Sequence, residues 1–366
     1  MNDESQITEQ RNWVELSDPA ALPKKPTVSV LMLAYRHEQY LAEAIEGVLL
    51  QKTHFPIELV IAEDCSPDQT RAIAENYQRD YPALIRIITS DSNVGMNANL
   101  IRAYEACRGE YIAVCEGDDY WIDPNKLATQ AATLSIRHDI DLAFHSTYTR
   151  NFNAKELAGP FRAVSTKDVV IPVTDVIAGD GEFIPTPSLF IRKSAINRIP
   201  DGMMQSAPIG DYILQVYGSL RGGAFYINRP MSVYRQAHPE SWSASIKITK
   251  KQIDFEKAFI KLVNQMDNDL KLYRASFCTL IFNHYFSRYV TSVINKDQQL
   301  KSELKAALQS RFNEYGLKRR IKFKIASSFG PLGLTTLRSA RLTIGKILNL
   351  KHALARFSTL SGDRKL

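Results

Sequence analysis

The chain has 366 residues, 45% of them apolar and 23% charged, and a formal net charge of +7. Those proportions suit a globular protein with a sizeable core, and they exclude a disordered, collagen-like or disulfide-stapled chain. Cys65, Cys107, Cys115 and Cys278 form no CxxC pair, which argues against a zinc site or disulfide framework and fits a reducing compartment.

In chain order, residues 1–25 read as a flexible polar leader with no apolar signal-peptide region. Val28–Ala34 then reads as a buried strand, 35–40 as a polar turn and 41–51 as a helix. A second strand (57–62) is followed by Glu63-Asp64-Cys65-Ser66-Pro67-Asp68-Gln69-Thr70, which marks a helix start at 71–81. A third strand at 85–88, a turn at Asn93-Val94-Gly95 and a helix at 98–107 lead to a fourth strand at 111–115. Strands alternating with helices of this length imply βαβ units, a mostly parallel sheet and an α/β fold. The polar clusters after three strands (35–40, 63–70 and 116–119) therefore fall on one rim, where open α/β sheets bind ligands.

Glu116-Gly117-Asp118-Asp119 places three carboxylates in four residues at a strand end. Residues i and i+2 of an extended segment share a face, so Glu116 and Asp118 converge on one point. Clustered anions repel unless a cation lies among them, and hard oxygen donors suit Mg2+ or Mn2+ carrying a substrate's phosphates. The same four residues also read as a solvated acidic turn before Pro124. Neither G-x-G-x-x-G nor G-x-x-x-x-G-K-[ST] occurs, so a nucleotide site here depends on a metal and side chains rather than a glycine cradle.

Taken together, the stretch 29–41, the Glu63–Thr70 element, Asn93-Val94-Gly95 and Glu116-Gly117-Asp118-Asp119 resemble, in order and spacing, the family 2 glycosyltransferases over about residues 26–245. The resemblance implies a GT-A fold and an inverting transfer from a nucleotide-sugar donor, with UDP as the carrier and Mn2+ or Mg2+ as cofactor. It implies base and ribose contacts at Ala34, Tyr35 and Glu38, with Asp64 on the base edge and Asn93 and Glu116 completing the nucleotide set. Asp118 is implied as the metal and diphosphate ligand, joined by Asp119 and His238. Leu33, Arg36 and Glu116 depart from the family's usual residues, and His238 lies one position later than the pattern. Asp64 and Asp211 also read as helix N-caps, and Tyr35 as a rim aromatic.

Further along, 141–146 reads as a strand, 150–170 as a variable loop and 183–191 as an edge or irregular strand because of Pro185 and Pro187. Asp211 follows a glycine and opens a helix over 212–220, and the resemblance implies it as the catalytic base. Met231–Ser243 resembles the family's closing segment, with Arg235 set to neutralise phosphate. Residues 246–366 form a helical extension, predicted over 250–272, 274–295, 297–313 and 335–358. From Lys301 onward there are 15 basic and three acidic residues, and the 335–358 helix has the amphipathic pattern of one lying on an anionic membrane. The alternatives for that helix are packing on the catalytic domain or on a second copy. No nucleic-acid motif accompanies the charge. With no run of about 18 apolar residues, the expected location is cytoplasmic and peripheral to the membrane's inner face. The expected partners are a nucleotide-sugar donor and a glycan or lipid-linked acceptor in surface polysaccharide assembly. The rival functions are a non-catalytic sugar-nucleotide-binding scaffold and a nucleotidyltransferase. The glycine-free loop at 35–39 speaks against the second.

Overall fold

The computed structural model describes residues 13–151, 154, 156–236 and 249–328. By internal contacts the chain forms two compact units, one ending at Asp269 and the other starting at Leu270. The predicted 335–358 helix and His238 lie outside the described residues.

The first unit has thirteen described strands. They are β1 (Val14–Leu16), β2 (Val28–Ala34), β3 (Ile57–Glu63), β4 (Ile85–Thr89), β5 (Tyr111–Val114), β6 (Tyr120–Trp121), β7 (Leu142–His145), β8 (Thr147–Asn151), β9 (Ala158–Phe161), β10 (Val169–Ile171), β11 (Phe190–Arg192), β12 (Ala224–Ile227) and β13 (Ser232–Gln236). Nine of them make one sheet in the order β1-β4-β3-β2-β5-β11-β7-β12-β10, and a small second sheet runs β6-β13-β8-β9. β4, β3, β2 and β5 are parallel, as the alternating pattern predicts.

The unbroken apolar runs of these strands follow from burial on both faces. Val30, Met32, Leu59, Ile61, Ile87 and Ala113 point into one core, while Leu31, Val60, Ala62, Ile88 and Ile112 point into the other. α1 (Leu41–Leu49) and α4 (Lys126–Ile136) cover the first face through Leu41, Ile45, Val48, Leu127 and Leu134. α3 (Met96–Ala106) and α8 (Asp211–Ser219) cover the second through Leu100, Ala103 and Leu214. α2 (Thr70–Asp80) adds Ala74 to the first core. The helix Thr249–Asp269 belongs to this unit, with Phe259 against Tyr212 at 5.5 Å between ring centroids.

Three segments differ from the sequence reading. β1, inside the expected flexible leader, pairs antiparallel with β4. A buried ion network fastens it: Arg86, 5% exposed, donates to Glu15 at 2.7 Å and 2.8 Å, to Glu58 at 3.0 Å and to the Ala106 carbonyl at 2.6 Å. The 150–170 stretch is not one loop, since β8, β9 and β10 occupy parts of it. The 183–191 stretch, expected as an edge or irregular strand, is irregular up to Leu189 and enters the middle of the sheet only at Phe190–Arg192. Pro185 and Pro187 sit at a 3-10 turn (Thr186–Ser188), which leaves Phe190–Arg192 free to bond antiparallel to both β5 and β7.

In the second unit, Arg274–Ile294 and Gln298–Ser310 are helices, as is 317–328. They pack around Phe282, Phe286, Tyr289, Leu304, Leu308, Tyr315 and Phe323, so the aromatic-rich 273–289 segment is core.

Glu58 is fully buried and also bonded by Arg108 and Ser29. Replacing Arg86 by Met strands part of that charge and releases β1. The expected loss is about 3 kcal/mol of first-unit stability, read from urea unfolding.

Candidate active site

The site is assembled where β2, β3 and β5 end together. Backbone bonds tie these ends to one another: Asp64 N–H donates to the Ala34 carbonyl at 3.0 Å, and Gly117 N–H to the Leu33 carbonyl at 2.9 Å. Gly117 must be glycine, because a Cβ there would lie 2.7 Å from His37 Nδ1 and 3.0 Å from the Leu33 oxygen. The 35–40 loop is fastened to the 66–70 loop by short polar links. His37 N–H donates to Thr70 Oγ1 at 2.7 Å, and Gln69 N–H donates to the Glu38 carboxylate at 3.0 Å. Tyr35 stays 39% exposed on the rim with the Arg36 guanidinium 5.5 Å from its ring centroid.

Asp64, 2% exposed, has a structural task beyond the one implied by resemblance. Its carboxylate accepts from the Val94 and Gly95 amides at 2.9 Å and 3.0 Å and from Arg102 at 3.3 Å. Asn93 Nδ2 donates back to the Asp64 carbonyl at 3.0 Å. A carboxylate offers about four acceptor positions, so one remains for a ligand. The turn it holds needs glycine, since Gly95 has φ +86°. Arg102 was not anticipated. It is 4% exposed and also bonds Ser90 Oγ at 2.6 Å and the Glu63 carbonyl at 2.9 Å. The available signal was a lone cation on the apolar face of the 98–107 helix.

Of the three clustered carboxylates, Glu116 and Asp118 are partly exposed and Asp119 is wholly buried. Burial, then Asp118, then Asp211 push the Glu116 carboxyl up to about 8. Burial and the Asp118 and Glu116 charges likewise hold the Asp119 pKa well above the usual range. The Asp118 carboxylate lies 4.0 Å from His37 Nε2. Asp119 Oδ1 accepts from the Arg235 amide at 2.8 Å. That bond fastens β13, while Asp119 Oδ2 is buried with no hydrogen-bond partner among the described residues. The Arg235 guanidinium bonds Glu43 and the Asp118 carbonyl and lies between the Tyr40 and Tyr120 rings, 4.9 Å and 4.5 Å from their centroids. It braces the motif from the β13 side.

Among the described residues no group of three or more His, Cys, Asp and Glu is arranged to hold a metal unaided. Glu116 and Asp118 nonetheless fit a magnesium-type ion, which takes one or two protein carboxylates and completes its shell with phosphate and water. The mutual repulsion that raises Glu116 is what such a cation relieves.

Asp211 opens α8 after Gly210 and lies close enough to Glu116 for their charges to interact. Its Oδ2 accepts from Thr186 Oγ1 at 3.0 Å and its Oδ1 from the Tyr212 amide at 2.7 Å. The Tyr212 bond makes it a helix-start residue as well as a site carboxylate. Burial lifts its pKa to about 6, against the Thr186 and Tyr212 hydrogen bonds. Two more residues went unassigned in the sequence: Thr186, between two prolines, and Tyr234 on β13. Burial raises the Tyr234 phenol, as do the charges of Asp119, Glu116, Asp118 and Asp211, so it stands in the field of all four.

A large, mostly parallel sheet with helices on both faces and carboxylates at the strand ends is the arrangement of the GT-A fold. S. aureus TarS 1–349 in complex with UDP-GlcNAc has this fold, with a TM-score of 0.62 at 17% identity over 82% of this chain and 87% of that one. Residues 29–197, a little under half of the chain, match the model described as Glycosyl transferase family 2. An uncharacterized protein of Mycobacterium bovis is 33% identical over 223 residues, 60% of this chain and 61% of that protein. The match thus spans less than two thirds of that relative's length. The putative teichuronic acid biosynthesis glycosyltransferase TuaG of Bacillus subtilis is 33% identical over 97 residues, 26% of this chain and 38% of its own.

Replacing Arg102 by Met removes three bonds at the Asp64 turn. The Val94 and Gly95 amides should then exchange hydrogen at least about tenfold faster, read residue by residue by mass spectrometry or NMR.

Proposed function

We propose that this glycosyltransferase moves a sugar from a UDP-sugar to a hydroxyl of a glycan or lipid-linked acceptor, with inversion, in surface polysaccharide assembly. The observation that carries the reading is the meeting of Asp211 with the Glu116–Asp118 pair at one rim. A base for the acceptor therefore faces the carboxylates suited to a diphosphate and its metal. The acceptor oxygen forms a bond to the anomeric carbon as the bond from that carbon to the diphosphate breaks. Asp211 takes the hydroxyl proton, and the nucleoside diphosphate departs with the bonding electrons.

Each side chain has a defined part in this reading. Tyr35 offers the base an exposed aromatic face, and Ala34 and Glu38 border the base and ribose. Asp64 offers its one remaining acceptor position to the base edge, while Asn93 supports it through the Asp64 carbonyl. Glu116 faces the ribose and diphosphate. Asp118 and Glu116 would hold Mn2+ or Mg2+, which supplies charge neutralisation for the leaving diphosphate. Thr186 positions Asp211 through its hydrogen bond. The surface-polysaccharide setting is supported by the likeness to TuaG, whose name places it in teichuronic acid biosynthesis.

Donor hydrolysis across UDP-, GDP- and dTDP-sugars, with Mn2+, Mg2+ or chelator, tests the reading. One donor should turn over with metal only, and Asp118→Ala and Asp211→Asn should each lose at least about a hundredfold. A nucleotide sugar that binds but never turns over, even with glycan or lipid-linked acceptors, would point to the non-catalytic scaffold, and failure of every nucleotide to bind would overturn the reading.

A base works ionised, so with saturating metal, which keeps Glu116 ionised, kcat/KM should rise with pH up to about 6, where Asp211 titrates, and level off above. The Thr186 hydrogen bond favours the ionised form. Thr186→Val should therefore move this limb to higher pH while KM for the donor stays within about twofold. An unmoved limb would show that Asp211 is not the titrating base.

A further inference from the structure

The helix 317–328 of the second unit has two faces of different character. Phe323 and Ala326 are buried at 3% and 0% in the aromatic core beside Phe282, Phe286 and Tyr289. At about 100° per residue, the opposite face is centred on Leu317 and Ile321, which are 73% and 49% exposed. Ile325 follows four residues on and is half-buried. Lys318 and Lys322 flank this stripe on one side and Lys324 and Arg320 on the other, with all three lysines exposed. The helix holds five basic residues and no acidic one. Over the described second unit, 270–328, there are 12 basic and three acidic residues. Beside it lies a mixed groove lined by Phe286, Val290 and Ile294 together with Asn283, Ser287 and Thr291 and bordered by Lys322, and Ile294 is 56% exposed.

A water-facing aliphatic stripe between rows of cations matches a surface that is apolar below and anionic above. We infer that the 317–328 face docks on the headgroup region of an anionic bilayer. Leu317 and Ile321 enter the acyl boundary, and Lys318, Lys322 and Lys324 meet lipid phosphates. A protein partner would need a complementary row of acids, and a second copy offers the same cations. Repulsion between like rows therefore disfavours self-association through this face. Among the described residues no helix is long and apolar enough to cross a membrane, so the contact is one of lying on the surface. The inference is independent of the reaction proposed above.

Cosedimentation of the full chain with phosphatidylcholine vesicles, alone or with about 30% phosphatidylglycerol, tests it at low salt and at about 0.5 M, where screening shortens to a few ångström. Binding should need the anionic lipid and fall with salt. Lys318→Ala/Lys324→Ala should weaken partitioning about thirtyfold, from about fivefold per cation near the surface. Leu317→Ser/Ile321→Ser should weaken it at least about tenfold. Both variants should keep the wild-type Tm and elution volume. Equal binding to neutral vesicles, or anionic binding unchanged in both variants, would overturn the inference. So would a lowered Tm or a changed oligomeric state in the serine variant, since the stripe would then be packed on the chain itself or on a second copy.

Discussion

The mutual repulsion of Glu116, Asp118, Asp119 and Asp211 is the constraint on which the first unit's site depends. Like charges brought together from two places in the chain separate unless the backbone around them is held. Here the holding is done by bonds that do not neutralise the acids facing solvent. Gly117 is stitched to β2, Asp119 to the Arg235 amide and Asp211 to the start of α8. The cationic groups nearby are largely spent on the scaffold: Arg235 on Glu43 and a carbonyl, Arg102 on the Asp64 turn. The result is a rim that keeps its negative charge, as the proposed metal and diphosphate would require.

The second sheet gives this arrangement its outer wall. β6 follows directly from the carboxylate motif and pairs with β13, so Tyr234 and Arg235 arrive beside residues 118–120 by register alone. One residue on β13 looks inward to the acids and the next locks the motif from the side. This alternation is the ordinary pleat of a strand put to two uses.

Much of the first half was legible because each parallel strand is a continuous apolar run ended by a polar cluster. The rim therefore followed from composition and order alone. The resemblance singled out Asp64, Asp118 and Asp211, though not the range of their contacts. Asp64 was readable as a base-edge acid or an N-cap, yet its partners Val94, Gly95 and Arg102 are 30 to 38 positions away, a distance that local pattern does not carry. Similar reasons hid β1, whose order depends on Arg86 reaching Glu15 across 71 positions. Pro185 and Pro187 misled because proline bars a strand only where it occurs, and here both precede β11. The Thr186 bond to Asp211 is tertiary and leaves no local trace.

The central place of β11 has an evolutionary consequence. It hydrogen-bonds β5, which carries the metal-type motif, and also β7, on the side of the sheet that holds β12 and β10. The two halves of the first unit therefore share one sheet with no seam between them. Recombination between relatives inside residues 115–190 would splice strands of unmatched twist and pleat. Exchange at the 269–270 boundary leaves every ladder intact. Variation in such a lineage is expected to come by loop replacement on a fixed sheet in the first unit and by exchange of the second unit whole.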